Sequence, residues 1–219
     1  MITKHLIVGT PDWTQFQHQY YHDHEAPIIM TKGLTDSDIS EPLATWQKAK
    51  FHQNCNTYAN AYLQQFLLEP HAKAKQQVRR LVSNAIGEHF REISGISTID
   101  SRFAANLDGY ERRENVIFKY HPWHEEVAKF LRTHNDLPDH LWPEIEHQLF
   151  VSQAKYCIYV ISDGSAEKWM SIRYSSIKGR SNRLLNQWNT VQQRSRGTIQ
   201  EKQPIYQIRM TETANTICA

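Results

Sequence analysis

The chain has 219 residues, 40% of them hydrophobic, which is enough for one domain of ordinary size with a substantial core. Its 25 lysines and arginines against 23 acids leave a formal charge of +2. That total excludes a strongly basic nucleic-acid coat and a strongly acidic nucleic-acid mimic, so charge has to be read locally.

Cys55, Cys157 and Cys218 are scattered without C-x-x-C spacing, which argues against a disulfide framework or zinc knuckle and suits a reducing cytoplasm. The start, MITKHLIVGTPDW, has no long apolar run after its first positive charge, unlike a signal peptide, and no stretch reaches membrane-spanning length. The expectation is a soluble, cytoplasmic protein with no membrane partner.

In chain order, TPDWTQFQHQYYH opens with Thr10 as N-cap, Pro11 at the first helical position and Asp12 in the first turn. Trp13, Phe16, Tyr20 and Tyr21 fall on one helical face, as core packing requires. After EAPIIM and a polar loop, a second helix carries Leu43, Trp46 and Phe51. The longest helical pattern runs from Ala59 to Ile86, broken or kinked by Pro70 and stopped by Gly87. Periodicity then changes to strands, with Ile99 and Phe103 in the first and Val116, Ile117 and Phe118 in the next. Between them DGYERREN has the length and composition of a hairpin loop. EEVAKFLRTH and LPDHLWPEIEHQLFVSQA read as helices, YCIYVIS and WMSIRYSSI as strands, and SNRLLNQWNTVQQRSR as a last amphipathic helix. The order implies an α/β or α+β domain, a mixed sheet flanked by helices, over residues 1–200. Residues 201–219 form a polar C-terminal extension expected to pack loosely.

The chain has 12 histidines, and His22 and His24 flank Asp23 with H-x-H spacing, while His121 and His124 flank Pro122 and Trp123. A zinc site needs three or four converging ligands, which spacing alone does not establish, so surface or hydrogen-bonding roles are the preferred reading.

From roughly residue 10 to 190 the sequence resembles YqaJ-type viral recombinases, phage exonucleases of the lambda-exonuclease group with a restriction-endonuclease-like core. The likeness rests on LWPEIEHQLFVSQAKYCIYVISDGSAEKWMSIRY, on TPDW followed by HEAPIIM, and on AIGEHF and AANLDGY in the expected order. It implies Mg²⁺-dependent hydrolysis of DNA phosphodiesters, with hard oxygen ligands holding the metal and the metal activating water. The family supplies a Glu on a long helix, an Asp in Asp-Gly and a Glu-x-Lys on the next strand. Here Asp108 in LDGY matches the Asp, and Gln148 matches a family glutamine. The Glu of Glu-x-Lys falls on Lys119 and its Lys on His121, while the helix Glu falls on Lys75, with Lys73 its neighbour.

Two expected carboxylates are therefore ammonium groups. An ammonium about 4 Å from a dication is repelled by roughly 8 kcal/mol at an effective dielectric near 20. The implied state is a remnant site without a metal cofactor, formed by Asp108, Lys119, His121, Gln148 and Lys75, with Asp108 paired to Lys119. The alternative is Mg²⁺ held by Asp108 with Glu25, whereas Glu111, Glu114, Glu125 and Glu126 read as solvated charges.

The same replacements add positive charge. HAKAKQQVRR carries Lys73, Lys75, Arg79 and Arg80, which with Lys119 are candidate phosphate contacts. A second run, Lys178, Arg180, Arg183, Arg194 and Arg196, reads as readily as a solvated helix face. Three functions stay open: DNA binding without cutting; docking on a host nucleoprotein complex, such as a host nuclease or CRISPR effector; and an active 5'-3' double-strand exonuclease working with a single-strand annealing partner. The resemblance also leaves a homo-oligomer open.

Overall fold

The computed structural model describes residues 1–6, 10–31, 44–47, 50, 72–87, 89–165 and 167–201, with the side chains of 72 and 194–201 excepted. Leu43, Phe51, Pro70, Cys55, Cys218 and residues 59–71 and 202–219 lie outside the described residues, and so do the readings placed on them. Among the described residues no helix is long and apolar enough to cross a membrane.

The sheet has seven strands, with β1 (Ile2–Lys4), β3 (Arg91–Ile96), β4 (Phe103–Glu111), β5 (Val116–Pro122), β6 (Tyr156–Ser162) and β7 (Trp169–Tyr174) in that spatial order. A two-residue β2 (Tyr21–His22) lies parallel to β4. β5 and β6 are parallel over seven registered pairs, and the remaining neighbours are antiparallel. Parallel neighbours need a crossover, here supplied by α4 (Glu125–His134) and α5 (Trp142–Ser152). The expected mixed sheet flanked by helices is the observed architecture.

Local chemistry sets the ends of the elements. Helix α1 (Pro11–Gln19) starts at Thr10, whose hydroxyl accepts from the Trp13 N–H. It stops earlier than expected, so Trp13 and Phe16 are buried on it while Tyr21 joins β2. A 3-10 turn (Asp23–Glu25) then leads into α2 (Ala26–Ile29). Helix α3 (Ala72–Ile86) ends where Gly87 takes φ +71°, the left-handed conformation that favours glycine. α4 and α5 end on Asn135 and Gln153, both left-handed.

The strands correct the sequence expectation in two places. Asp108–Glu111 belong to β4, and the hairpin turn is 112–115, because Glu111 is buried and accepts from the Arg113 and Glu114 N–H groups. Glu111 is thus a turn-capping group rather than a solvated charge. Ile99 is 61% exposed in the bend before β4, so the strand expected to carry Ile99 and Phe103 is β4, which starts at Phe103; β3 is a strand the sequence reading lacks, because its polar, glycine-containing REISGI hides its alternation.

Alternation along β5 assigns its two faces. Val116, Phe118 and Tyr120 pack with Val78 and Val82 of α3, while Ile117 packs on the other face with Ile145 and Leu149 of α5. Lys119 and His121 therefore point to the α5 side. Helix α6 (Lys178–Glu201) closes that layer through Leu184, Trp188 and Val191. It is capped from beneath by the fully buried Glu146, which accepts from the Ile177 N–H and the Tyr174 and Ser176 hydroxyls. Trp188 is 1% exposed, with Tyr21, Trp46, Phe103 and His147 rings around it. Trp188→Ala is expected to cost about 3–5 kcal/mol in a urea unfolding titration.

Candidate functional site

The β4–β5 ladder ends at the Gly109–Phe118 pair. Beyond it the Asp108 carboxylate takes over from backbone pairing, its Oδ2 accepting from the Tyr120 N–H at 3.1 Å. Gly109 is required at this point: a Cβ would lie 2.8 Å from the Phe90 Cβ and 3.1 Å from that of Phe118.

Asp108 is met by cations from both sides. Lys75 Nζ on α3 lies 3.4 Å from Oδ1, and Lys119 Nζ on β5 lies 3.7 Å from Oδ2. The Lys119 ammonium also donates to Glu144 Oε1 of α5 at 2.5 Å. Side-chain exposures of 12%, 10% and 16% for Lys75, Asp108 and Lys119 make this a largely desolvated cluster. Burial pushes the Asp108 carboxyl up, but the Lys119 and Lys75 ammoniums and the Tyr120 N–H outweigh it and hold the group below the usual carboxylate range. Burial opposes the charge on Lys119 as well, and Asp108, Glu144 and Asp23 overcome it, raising this lysine well above its ordinary value.

Asp23 completes the cluster from the 3-10 turn. Its Oδ1 accepts from the Asn106 N–H at 3.1 Å and its Oδ2 from the Gln148 amide at 2.6 Å. Burial and the neighbouring Glu144 push its carboxyl up to about 7.

Asp108, Lys119, Lys75 and Gln148 are thus brought together. His121 is half-buried on the same face of β5 as Lys119, and its Nδ1 lies 2.7 Å from the Pro122 carbonyl, so that nitrogen carries the hydrogen. Glu25 is fully buried elsewhere, 2.9 Å from Lys50 Nζ and accepting from the His22 N–H at 2.7 Å. Glu114 and Glu126 are exposed, and Glu125 accepts from the Trp123 ring N–H.

The basic run that lacks acids in sequence meets them in space. Lys75 lies 3.6 Å and Arg79 2.9 Å from Glu92, and Arg79 also donates to the Asp108 carbonyl. Lys73 and Arg80 are exposed on α3. In the second run Arg180 forks onto Asp136, Lys178 and Arg183 are exposed, and the side chains of Arg194 and Arg196 lie outside the described residues.

Asp23 and Glu144 are the two acids the sequence reading missed. Glu144 stands four residues before Gln148, one helical turn on the same face, and that spacing could have found it. Asp23 sits between His22 and His24, where attention goes to the histidines. Each of these three offers a ligand atom within 4.8 Å of the others. His22 Nε2 faces the Phe16 carbonyl at 3.0 Å and both Asp23 oxygens accept hydrogen bonds, while His22 Nδ1 is buried without a hydrogen-bond partner.

A divalent metal of the kind exonuclease chemistry uses needs several hard oxygen ligands without a competing cation. Asp108 is shared by two ammoniums, Glu144 carries one, and Glu25 is committed to Lys50. The residues present do not fit such an ion.

A mixed sheet whose Asp-Gly strand parts from its neighbour between two covering helices has the form of an exonuclease-type nuclease fold. Two crystal structures of the alkaline exonuclease LHK-Exo from Laribacter hongkongensis share it. The first has a TM-score of 0.63 and 12% identity over 88% of this chain and 95% of that one. The complex of LHK-Exo with dAMP gives 0.65 and 14% over the same shares. A phage-related exonuclease from Haemophilus somnus 129PT gives 0.56 and 8% identity over 87% of this chain and 100% of that one. No family model matches the sequence, and no curated protein matches it.

Asp23 keeps its proton to higher pH in the native state, about 7, than at its ordinary value of 3.8. The native state therefore binds more protons between those values, and stability falls as pH rises through the window, by up to about 1.4 kcal/mol per unit. Asp23→Asn removes this term. Urea unfolding at stepped pH is expected to show the wild type losing about 1–4 kcal/mol relative to the variant between pH 4 and pH 8.

Proposed function

We propose that this chain is a nuclease-fold protein that engages DNA, or a nucleoprotein complex that handles DNA, without hydrolysing it. The observation that carries the reading is the seat of Lys119, a half-buried ammonium between Asp108 and Glu144 beside the Asp-Gly step of β4. An ammonium can neither act as a Lewis acid nor lower the pKa of a bound water to make a nucleophile. His121 is a neutral imidazole, its Nδ1 facing a carbonyl and burial lowering its pKa, and one nitrogen ligand does not replace the missing carboxylates of a hard-oxygen Mg²⁺ site.

Binding without cutting is supported by likeness of fold to the exonucleases and by the exposed cations Lys73 and Arg80 on α3. Lys75, Arg79 and Lys119 have acids close by, so their contribution to phosphate binding is damped and the outer pair carries more of it.

Purified protein incubated with linear duplex DNA in Mg²⁺ or Mn²⁺ is expected to release no nucleotides. Digestion would overturn the reading in favour of an active exonuclease. A salt-dependent gel shift is expected at low ionic strength, and Lys73→Ala and Arg80→Ala should each reduce the slope of log K against log salt by about one. A protein that cuts nothing and shifts no DNA is docking on a protein partner instead.

The triple replacement Lys75→Glu, Lys119→Glu, His121→Lys tests the residue assignment. Metal-dependent cleavage by that variant, absent from the wild type, is the expected result. A folded triple variant without cleavage would count against these positions as the remnant site.

A further inference from the structure

We infer that His22, Asp23 and His24 form a site for one divalent ion of the Zn²⁺ class, built into the turn that joins β2 to α2. The site shares no ligand with the Asp108–Lys119–Glu144 cluster and does not depend on whether DNA is bound or cut.

Three consecutive side chains converge there, each offering one ligand atom, and the three atoms lie within 4.8 Å of one another. The winding of the backbone causes this. His22 is extended at the end of β2 (φ −104°, ψ 156°), while Asp23–Glu25 turn into the 3-10 segment. A continuing strand would send the middle side chain to the opposite face. Bonds of about 2.0–2.2 Å to a tetrahedral ion set ligand atoms about 3.4 Å apart, so closure by at most about 1.4 Å completes the geometry. His24 is half-buried, and its side gives the ion a way in.

The His22 ring supplies a second, independent observation. It is 0% exposed, and its Nε2 lies 3.0 Å from the Phe16 carbonyl, so that nitrogen carries the hydrogen. Nδ1 is left as a bare lone pair, buried without a hydrogen-bond partner. The turn does not use it: His22 caps the 3-10 segment through its backbone N–H, which donates to Glu25 Oε2 at 2.7 Å, and the ring makes no cap hydrogen bond. A buried acceptor without a donor is costly. An imidazole with its other nitrogen pinned on a backbone carbonyl is the arrangement of a metal ligand. The His24 ring lies against it, centroids 5.5 Å apart and planes 29° from parallel.

Asp23 is aimed in the same way. The Asn106 N–H and the Gln148 amide each hold one of its oxygens, and a carboxylate oxygen keeps a further lone pair for an ion. Gln148 Oε1, on that same amide, is also buried without a partner, and a water on the ion would donate to it. Two ammoniums act on the histidines, and both are offset: Lys50 by Glu25 at 2.9 Å, and Lys119 by Asp108 and Glu144. Two imidazoles with one carboxylate select a borderline ion such as Zn²⁺, Co²⁺ or Ni²⁺ over Mg²⁺. Bound there, the ion would fasten β2 and the 3-10 turn to β4, which Asp23 already reaches through Asn106.

The test uses the full chain without a histidine tag, with ZnCl₂ or CoCl₂ alone and no DNA, so its outcome is separate from that of the cleavage assay. After EDTA treatment and its removal, titration calorimetry at about pH 8, where the ligands are deprotonated, is expected to show one Zn²⁺ per chain. Co²⁺ should give the visible spectrum of an imidazole-bound ion. The unfolding temperature is expected to rise by roughly 5–10 °C at free Zn²⁺ about a hundredfold above Kd. His22→Gln and His24→Gln should each weaken binding by about a hundredfold or more. His134→Ala, at the exposed end of α4, should leave it unchanged.

A folded wild type that takes up no Zn²⁺ overturns the inference. So does binding that survives both His22→Gln and His24→Gln, which would place the ion elsewhere. If neither variant folds, anomalous diffraction at the zinc edge from zinc-loaded wild-type crystals decides. A peak between His22, Asp23 and His24 supports the inference, and no peak there overturns it.

Discussion

The cluster around Asp108 depends on one constraint: a largely desolvated ammonium is held charged by the negative groups beside it. Lys119 meets that condition through Asp108 and Glu144, with Asp23 behind them. Asp108 in turn stays ionised in a buried position because Lys119 and Lys75 flank it. Neither group is stable as an ion without the other, and breaking such a pair typically costs several kcal/mol. The consequence is mechanical as well as electrostatic. Lys75 ties α3 to one side of the β4–β5 split, and the Lys119–Glu144 pair ties α5 to the other. The two helical layers are thus fastened to the sheet through a single carboxylate.

Much of this was legible in the sequence. The Asp108–Lys119 pairing is read from the family resemblance, which brings both residues to one site, together with their opposite charges. The amphipathic patterns of α1, α4 and α5 and the β-branched run of β6 also place themselves. What could not be read has specific causes. β3 lacks alternation because Ser94 and Gly95 occupy its middle. Asp108–Glu111 look like a turn by composition, but Glu111 is a buried acid that closes the turn after it. Asp23 and Glu144 escaped because their role exists only once the 3-10 turn and α5 are folded against β5.

Charge shows the same limit. The helix carrying Lys73, Lys75, Arg79 and Arg80 contains no acid, and its sequence reads as a continuous basic surface. Folding sets Glu92 and Asp108 beside its inner two cations, leaving an outer pair to face solvent. A one-dimensional run of like charge therefore overstated the field by including positions whose neighbours come from strands later in the chain.

The Asp-Gly step of β4 carries a further lesson about what motifs record. Gly109 is needed because Phe90 and Phe118 close over it, and Asp108 is needed because an N–H left at the end of a ladder must find an acceptor. Both requirements come from folding, and neither refers to a reaction. The Asp-Gly dipeptide is therefore accounted for by the fold alone, whatever chemistry stands beside it. In a protein of this shape the informative letter is on the facing strand, where Lys119 stands as a cation between Asp108 and Glu144.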